Sequence, residues 1–229
     1  MPSAAELEIL GLSLKVALWA LALSLPFAIA VAYALARGEF PGKTLFDAVV
    51  HLPLVLPPVV VGYALLVLFG TQGPIGKLLE PLGIVLIFRW TGAALAAAIM
   101  GFPLMVRAIR LAIEAVDPRL ESAARTLGAG RLRVFFTVTL PLAASGVITG
   151  ALLAFARALG EFGATITFVS NIPGETRTLP LAIYTFTQVP GGDAQALRLS
   201  IFSVVLSLGA LAFSEWLVRK RDPTGRRHA

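Results

Sequence analysis

Long runs without a charged residue alternate with short polar connectors along this chain. Residues 16–36 carry no charge, and neither do 48–76, 90–106, 134–156 or 199–214. A helix needs about 20 apolar residues to cross the hydrocarbon core of a bilayer. With 84–88 extending the third run and 217–218 the last, the pattern predicts five spanning helices at about 11–36, 47–69, 86–109, 134–158 and 197–218. The first run is expected to be retained rather than cleaved as a signal peptide. Glu6 and Glu8 stand where a positive region belongs, and the apolar stretch is too long.

The interval 159–196 does not fit this rhythm. Residues 162–172 and 179–189 are apolar but only about half a span long. Pro173-Gly174 and Pro190-Gly191-Gly192 punctuate them. Half-inserted or surface-lying helices packed against the bundle are expected here, because irregular backbone at membrane depth survives only when buried in protein or lining a wet cavity. Breakers also lie inside the predicted spans: Pro26, Pro53, Pro57, Pro58, Gly62, Gly101 and Pro103. Each internal proline removes a backbone hydrogen bond and bends its helix. The small-residue faces at 92–94 and 96–98 let helices approach closely.

Composition agrees with a membrane chain. Hydrophobic residues make up 57% of its 229 residues and charged residues 14%, too apolar for an ordinary soluble domain. No interval is left for a separate soluble domain, so residues 1–229 read as one transmembrane domain. The net charge of +6 does not indicate nucleic acid, since the cations gather in the connectors. Arg37 and Lys43, the six arginines between 107 and 133, and five basic residues after 218 fall on one side of a five-span chain. Lys77, Arg89, Arg157, Arg177 and Arg198 fall on the other. Thirteen against five places the first side in the cytoplasm, with the N-terminus outside and the C-terminus inside. A sixth span within 159–196 would reverse the basic tail. Lys15 is expected to snorkel to the outer surface.

The polar connector at 117–131 has a definite local reading. Asp117 suits a helix N-cap and Pro118 the first helical position. Leu120, Ala123, Ala124 and Leu127 then share one face. Gly128 suits a left-handed helix end. The result is a short helix with a small apolar face and Arg119, Ser122 and Arg125 around it. It is either a solvated turn of the chain or a surface awaiting a partner.

Ala123, Ala124, Gly128, Leu140 and Pro141 match in spacing the cytoplasmic coupling loop of permease subunits of ATP-binding-cassette importers, which this segment resembles. The family's acid would fall at Ser122, whereas the acid here is Glu121, and Val138 stands for the usual Ile. A longer resemblance runs through Arg157-Ala-Leu-Gly-Glu161-Phe-Gly to Thr178-Leu-Pro180, and through His51-Leu-Pro-Leu-Val-Leu-Pro-Pro58. These stretches are similar to molybdate permease subunits. Sulfate and thiosulfate permeases share part of them, and the Ile172-Pro173-Gly174 insertion and Ile183-Tyr184 favour molybdate.

The resemblance implies an all-α polytopic bundle of the type I importer permease kind in the cytoplasmic membrane. It implies a second copy of the chain, two cytoplasmic ATPase subunits carrying ATP and Mg, and a periplasmic oxyanion-binding protein. It implies ATPase docking through Pro118, Leu120, Glu121, Ser122, Ala123, Ala124, Arg125, Leu127 and Gly128. The pathway and gate would involve Pro57, Pro58, Arg157, Gly160, Glu161, Phe162, Gly163, Thr165, Thr167, Ser170 and Asn171.

From the residues alone, Thr165, Thr167, Ser170, Asn171, Thr176 and Thr178 offer neutral donors to an anion, and Arg157 and Arg177 positive charge. Arg157 and Glu161, four apart, either pair along one helix side or meet substrate directly. Catalytic chemistry is not expected. The chain has no phosphate loop, no cysteine, and only His51 and His228 as histidines, too far apart to suggest a metal site. No cofactor is expected in this chain. Three other readings compete: a sulfate, thiosulfate or tungstate permease; an ion-coupled secondary transporter, which usually shows internal repeats and an intramembrane carboxylate; and a structural scaffold.

Overall fold

The computed structural model describes residues 3–221, and every regular element among them is helical. Helix α1 (Ala4–Arg37) has 34 residues and is therefore about 50 Å long. Its start is closed reciprocally. The Ser3 hydroxyl accepts from the Glu6 N–H, and the Glu6 carboxylate accepts from the Ser3 N–H at 2.7 Å.

The expected second span is broken into α2 (Lys43–Val55) and α3 (Pro58–Phe69), and the chain turns through 113° between them. Two consecutive prolines are the reason. Pro57 holds Leu56 extended, with φ −72° and ψ 143°. Pro58 opens α3 at a position where no N–H is required. After the short α4 (Pro74–Leu79), Phe88 adopts φ +59°, and the next helix starts only at Trp90.

Helix α5 (Trp90–Glu114) is the centre of the molecule and packs along α1 on one side. On its other side lies α9 (Ala144–Leu159). Small residues permit this closeness. Ala93, Ala94, Ala96 and Ala97 are all buried. A Cβ on Gly150 would lie 2.9 Å from the Met105 carbonyl, and one on Gly101 would lie 3.2 Å from that of Ala154.

Between α5 and α9 come α6 (Pro118–Thr126), α7 (Arg131–Val134), a π turn over 135–139 and α8 (Leu140–Leu142). Pro141 has no N–H for the Thr137 carbonyl, so the regular ladder cannot pass through it, and the helix widens just before. The expected fourth span is thus also bent, by 71° between 131–142 and α9.

Two short helices follow, α10 (Gly163–Val169) and α11 (Leu179–Thr187), and then α12 (Asp193–Arg221). Arg226, Arg227 and His228 lie outside the described residues. By length and composition three helices can cross a membrane (α1, α5 and the start of α12), or up to five if each bent pair is one span. Leu18, Leu23 and Phe27 on α1, Val59 and Tyr63 on α3, and Ile201, Val204 and Val205 on α12 are exposed. Outward apolar faces of this extent mark contact with lipid or protein. Lys15 does not merely snorkel: its Nζ lies 3.7 Å from the centroid of the Trp90 ring, which also meets Trp19.

Candidate functional site

The short helix α6 is defined at both ends by its own residues. The Asp117 carboxylate accepts from the Arg119 N–H at 2.9 Å, and Pro118 occupies the first position. Beyond the last turn Gly128 takes φ +86°, a conformation that other residues rarely adopt. Its N–H donates to the Arg125 carbonyl, and the Ala129 N–H to that of Ala124.

Almost everything on this helix faces outward. Leu120 is 50% exposed and Leu127 89%, while Pro118, Arg119, Ser122, Ala123, Arg125 and Gly128 are exposed and Ala124 is half-buried. Two leucines with such exposure beside two arginines are left uncovered by the described residues. Glu121 is the exception, at 5% exposure. Its Oε1 accepts from Arg37 Nε at 3.2 Å and from the Thr139 hydroxyl at 2.9 Å. Arg37 Nη2 donates in turn to the Val116 carbonyl at 2.7 Å. Glu121 therefore points into the bundle, away from the surface to which the resemblance assigned it. Ser122 occupies the family's acid position, and its hydroxyl donates back to the Pro118 carbonyl.

The second assembly involves the short helix α10, which lies against α3 at van der Waals limits. A Cβ on Gly62 would come within 2.6 Å of the Ala164 carbonyl, and one on Gly163 within 2.8 Å of Pro58 Cβ. Pro57 is exposed at the α2–α3 break, and Pro58 is half-buried. Glu161, 2% exposed, spends one oxygen on the Ala164 N–H at 2.8 Å. The other lies 2.6 Å from Arg157 Nη1. That second contact is an ion pair without hydrogen-bond alignment, since Oε2 has no aligned donor. Of the two readings of Arg157 and Glu161, the structure contains the pair. Gly160 ends α9, and Phe162 packs against Tyr184 with ring centroids 5.2 Å apart.

Three of the six side chains expected to offer themselves to an anion, Thr167, Asn171 and Thr176, are used by the fold. Thr167 donates to the Gly163 carbonyl. Thr176, fully buried, donates to the Ser170 carbonyl and accepts from the Ile172 N–H. Asn171 accepts from Arg177 Nε and donates to the Thr185 hydroxyl. Thr165 and Thr178 are buried. Ser170 is exposed and has φ +63° with ψ −159°, a region otherwise reserved for glycine. Residues 170–178 thus form a partly self-bonded loop, in which the buried Thr178 hydroxyl has no hydrogen-bond partner among the described residues.

Sequence reasoning missed the ties made by α1. The Ser13 hydroxyl donates to the Ile9 carbonyl and accepts from the Leu179 N–H at 2.7 Å. Arg198 Nε lies 2.9 Å from Glu6 Oε1. The only signal for Glu6, Ser13 and Thr139 was a polar residue in or beside an apolar run. Among the described residues no group of three or more His, Asp or Glu could hold a metal ion.

A family model described as the binding-protein-dependent transport system inner membrane component matches residues 24–223. The chain belongs to this family. It is 62% identical over 223 residues to the molybdenum transport system permease protein ModB of Escherichia coli (strain K12), covering 96% of this chain and 97% of that protein. It is 56% identical over 216 residues to ModB of Haemophilus influenzae, covering 94% of each. Among solved structures, a bacterial ABC transporter that imports the acidic polysaccharide alginate superposes with a TM-score of 0.76 at 18% identity, covering 96% of this chain and 80% of that one. At that identity the likeness concerns fold. This family member is thus an all-helical transport-system inner membrane component of the type I importer permease architecture.

Proposed function

We propose that this chain is the permease subunit of an ATP-driven importer that carries molybdate across the cytoplasmic membrane. It works as two copies, with two cytoplasmic ATPase subunits that bind ATP and Mg and a periplasmic oxyanion-binding protein. The observation that carries the substrate is the near full-length identity of 62% to a molybdenum permease. The docking reading rests on α6, whose leucines stay exposed on a connector too polar for lipid. Pro118, Leu120, Ser122, Ala123, Ala124, Arg125, Leu127 and Gly128 form that surface in this proposal, and Glu121 supports it from behind. The segment 159–196, with Pro57 and Pro58 behind it, closes the pathway on the other side of the membrane. The basic connectors put the N-terminus outside and the C-terminus inside. ATP hydrolysis is the partner's chemistry, while this chain's residues hold, orient and gate.

Uptake of labelled molybdate in cells lacking and then regaining this gene tests the reading. Restored uptake that tungstate competes and sulfate does not is the expected result. Competition by sulfate at equal concentration would transfer the proposal to the sulfate branch. Absence of any oxyanion uptake with the full complex present would end it.

A further inference from the structure

The arrangement around Glu121 carries more than support for a helix. We propose that Glu121, with Arg37 and Thr139, is the positioning joint through which movement of α6 enters the membrane bundle, and that α1 is the member that receives it. This rests on the docking role given to α6 above.

Three observations point the same way. Glu121 is the one residue of α6 that is buried, and its Oε1 is held by two different parts of the chain. Arg37 is the last residue of α1, and it also grips Val116, just before α6 begins. Thr139 is fully buried in the π turn that leads towards α9. A shift of α6 therefore cannot occur without either dragging α1 and the π turn or breaking a buried carboxylate's bonds. Leaving such a charge unpaired costs several kcal/mol, so dragging is the cheaper course.

Helix α1 then runs uninterrupted to its far contacts. Ser13 lies about 36 Å from Arg37 at the rise of an α-helix and caps the first N–H of α11. One turn or two further, Glu6 is paired with Arg198 of α12. The same helix is thus fastened at one end to the docking element and at the other to the segment assigned to the gate.

The test uses the complete complex with its ATPase and binding protein in proteoliposomes. Glu121→Gln keeps the shape and removes the charge, Arg37→Gln removes the cation, and Thr139→Val removes the second bond alone. For the first two we expect the ATPase to stay bound and basal hydrolysis to persist. Stimulation by the loaded binding protein and molybdate uptake should both fall about tenfold, a usual size for coupling between sites. Thr139→Val should reproduce the pattern at smaller amplitude. Loss of bound ATPase in Glu121→Gln would make it a docking residue and overturn the proposal, as would wild-type stimulation in Glu121→Gln and Arg37→Gln. If Glu121→Gln does not accumulate in the membrane, Thr139→Val decides: reduced stimulation with ATPase bound supports the joint, and full stimulation removes it. Leu127→Asp, run in parallel, reports on docking itself. ATPase retained there would sink the docking reading independently of Glu121.

Discussion

Helices α6 and α10 are both short and held in opposite ways. Helix α6 is fastened mainly by one buried carboxylate and turns nearly every other side chain outward. Helix α10 is fastened by close packing, with Phe168 and Val169 fully buried in the core and Gly62 and Gly163 allowing contact with α3 that a Cβ would prevent. In the loop after it Asn171 and Thr176 are bonded, whereas the buried Thr178 hydroxyl has no hydrogen-bond partner among the described residues. The difference teaches what each end can give away. An element that offers a surface keeps its side chains free and needs one strong anchor. An element in the gate role we propose buries its side chains in the bundle and relies on close packing.

The comparison is broken most directly at Gly62. Gly62→Val places a branched side chain against the Ala164 backbone, and overpacking of this kind costs about 3 kcal/mol. Thermal unfolding of the solubilised complex should show a clear fall in midpoint. An unchanged midpoint would mean that α10 is loosely held. Next comes Arg157→Ala, which leaves the buried Glu161 carboxylate with only the Ala164 N–H and should cost about 2 kcal/mol. The Arg157→Ala/Glu161→Ala double variant should recover part of that loss in the same measurement. No recovery would argue that Arg157 acts by something other than this pair.

On the outward face of α6 a substitution should barely move stability. Leu127→Asp alters an 89% exposed residue and should change the unfolding midpoint by no more than about 0.5 kcal/mol's worth. ATPase co-purification should nevertheless fall severely. Gly128→Val sharpens the contrast, because a branched residue at φ +86° is strained by about 1–2 kcal/mol, enough to shift the helix end and weaken docking. A gain rather than a loss is expected at Ser170→Gly. Relieving the glycine-like conformation there should raise stability by about 1 kcal/mol, and a loss would mean that the serine side chain does more than occupy the turn.

Local features of both regions were legible in the sequence and long-range ones were not. Asp117-Pro118 and Gly128 marked the limits of α6 because caps and left-handed ends depend on neighbouring residues alone. Pro57-Pro58 announced a break, although nothing in the residues fixed its angle of 113°. The bend at Ala143 had only Pro141, two residues earlier, to suggest it. The apolar stripe of α6 was readable, but not the direction of Glu121, since its partners lie 84 and 18 positions away. The threonines and Asn171 looked available to an anion for the same reason. A hydroxyl in a sequence does not declare whether a neighbouring carbonyl will claim it. The capping of α11 by Ser13, across 166 positions, left no local trace.

The single inward anchor of α6 also bears on how such subunits are recombined. Because Glu121 is the one buried residue of this helix, the docking role we propose would make the outward positions 119, 120, 122, 123, 125 and 127 a replaceable adaptor. Under that role their identities could drift with a partner's surface, or be exchanged wholesale between permeases, without rewriting the membrane core. Redirecting this subunit to a foreign motor would then be a matter of five residues on α6 and Leu127 just beyond it, with Glu121, Arg37 and Thr139 left as they stand.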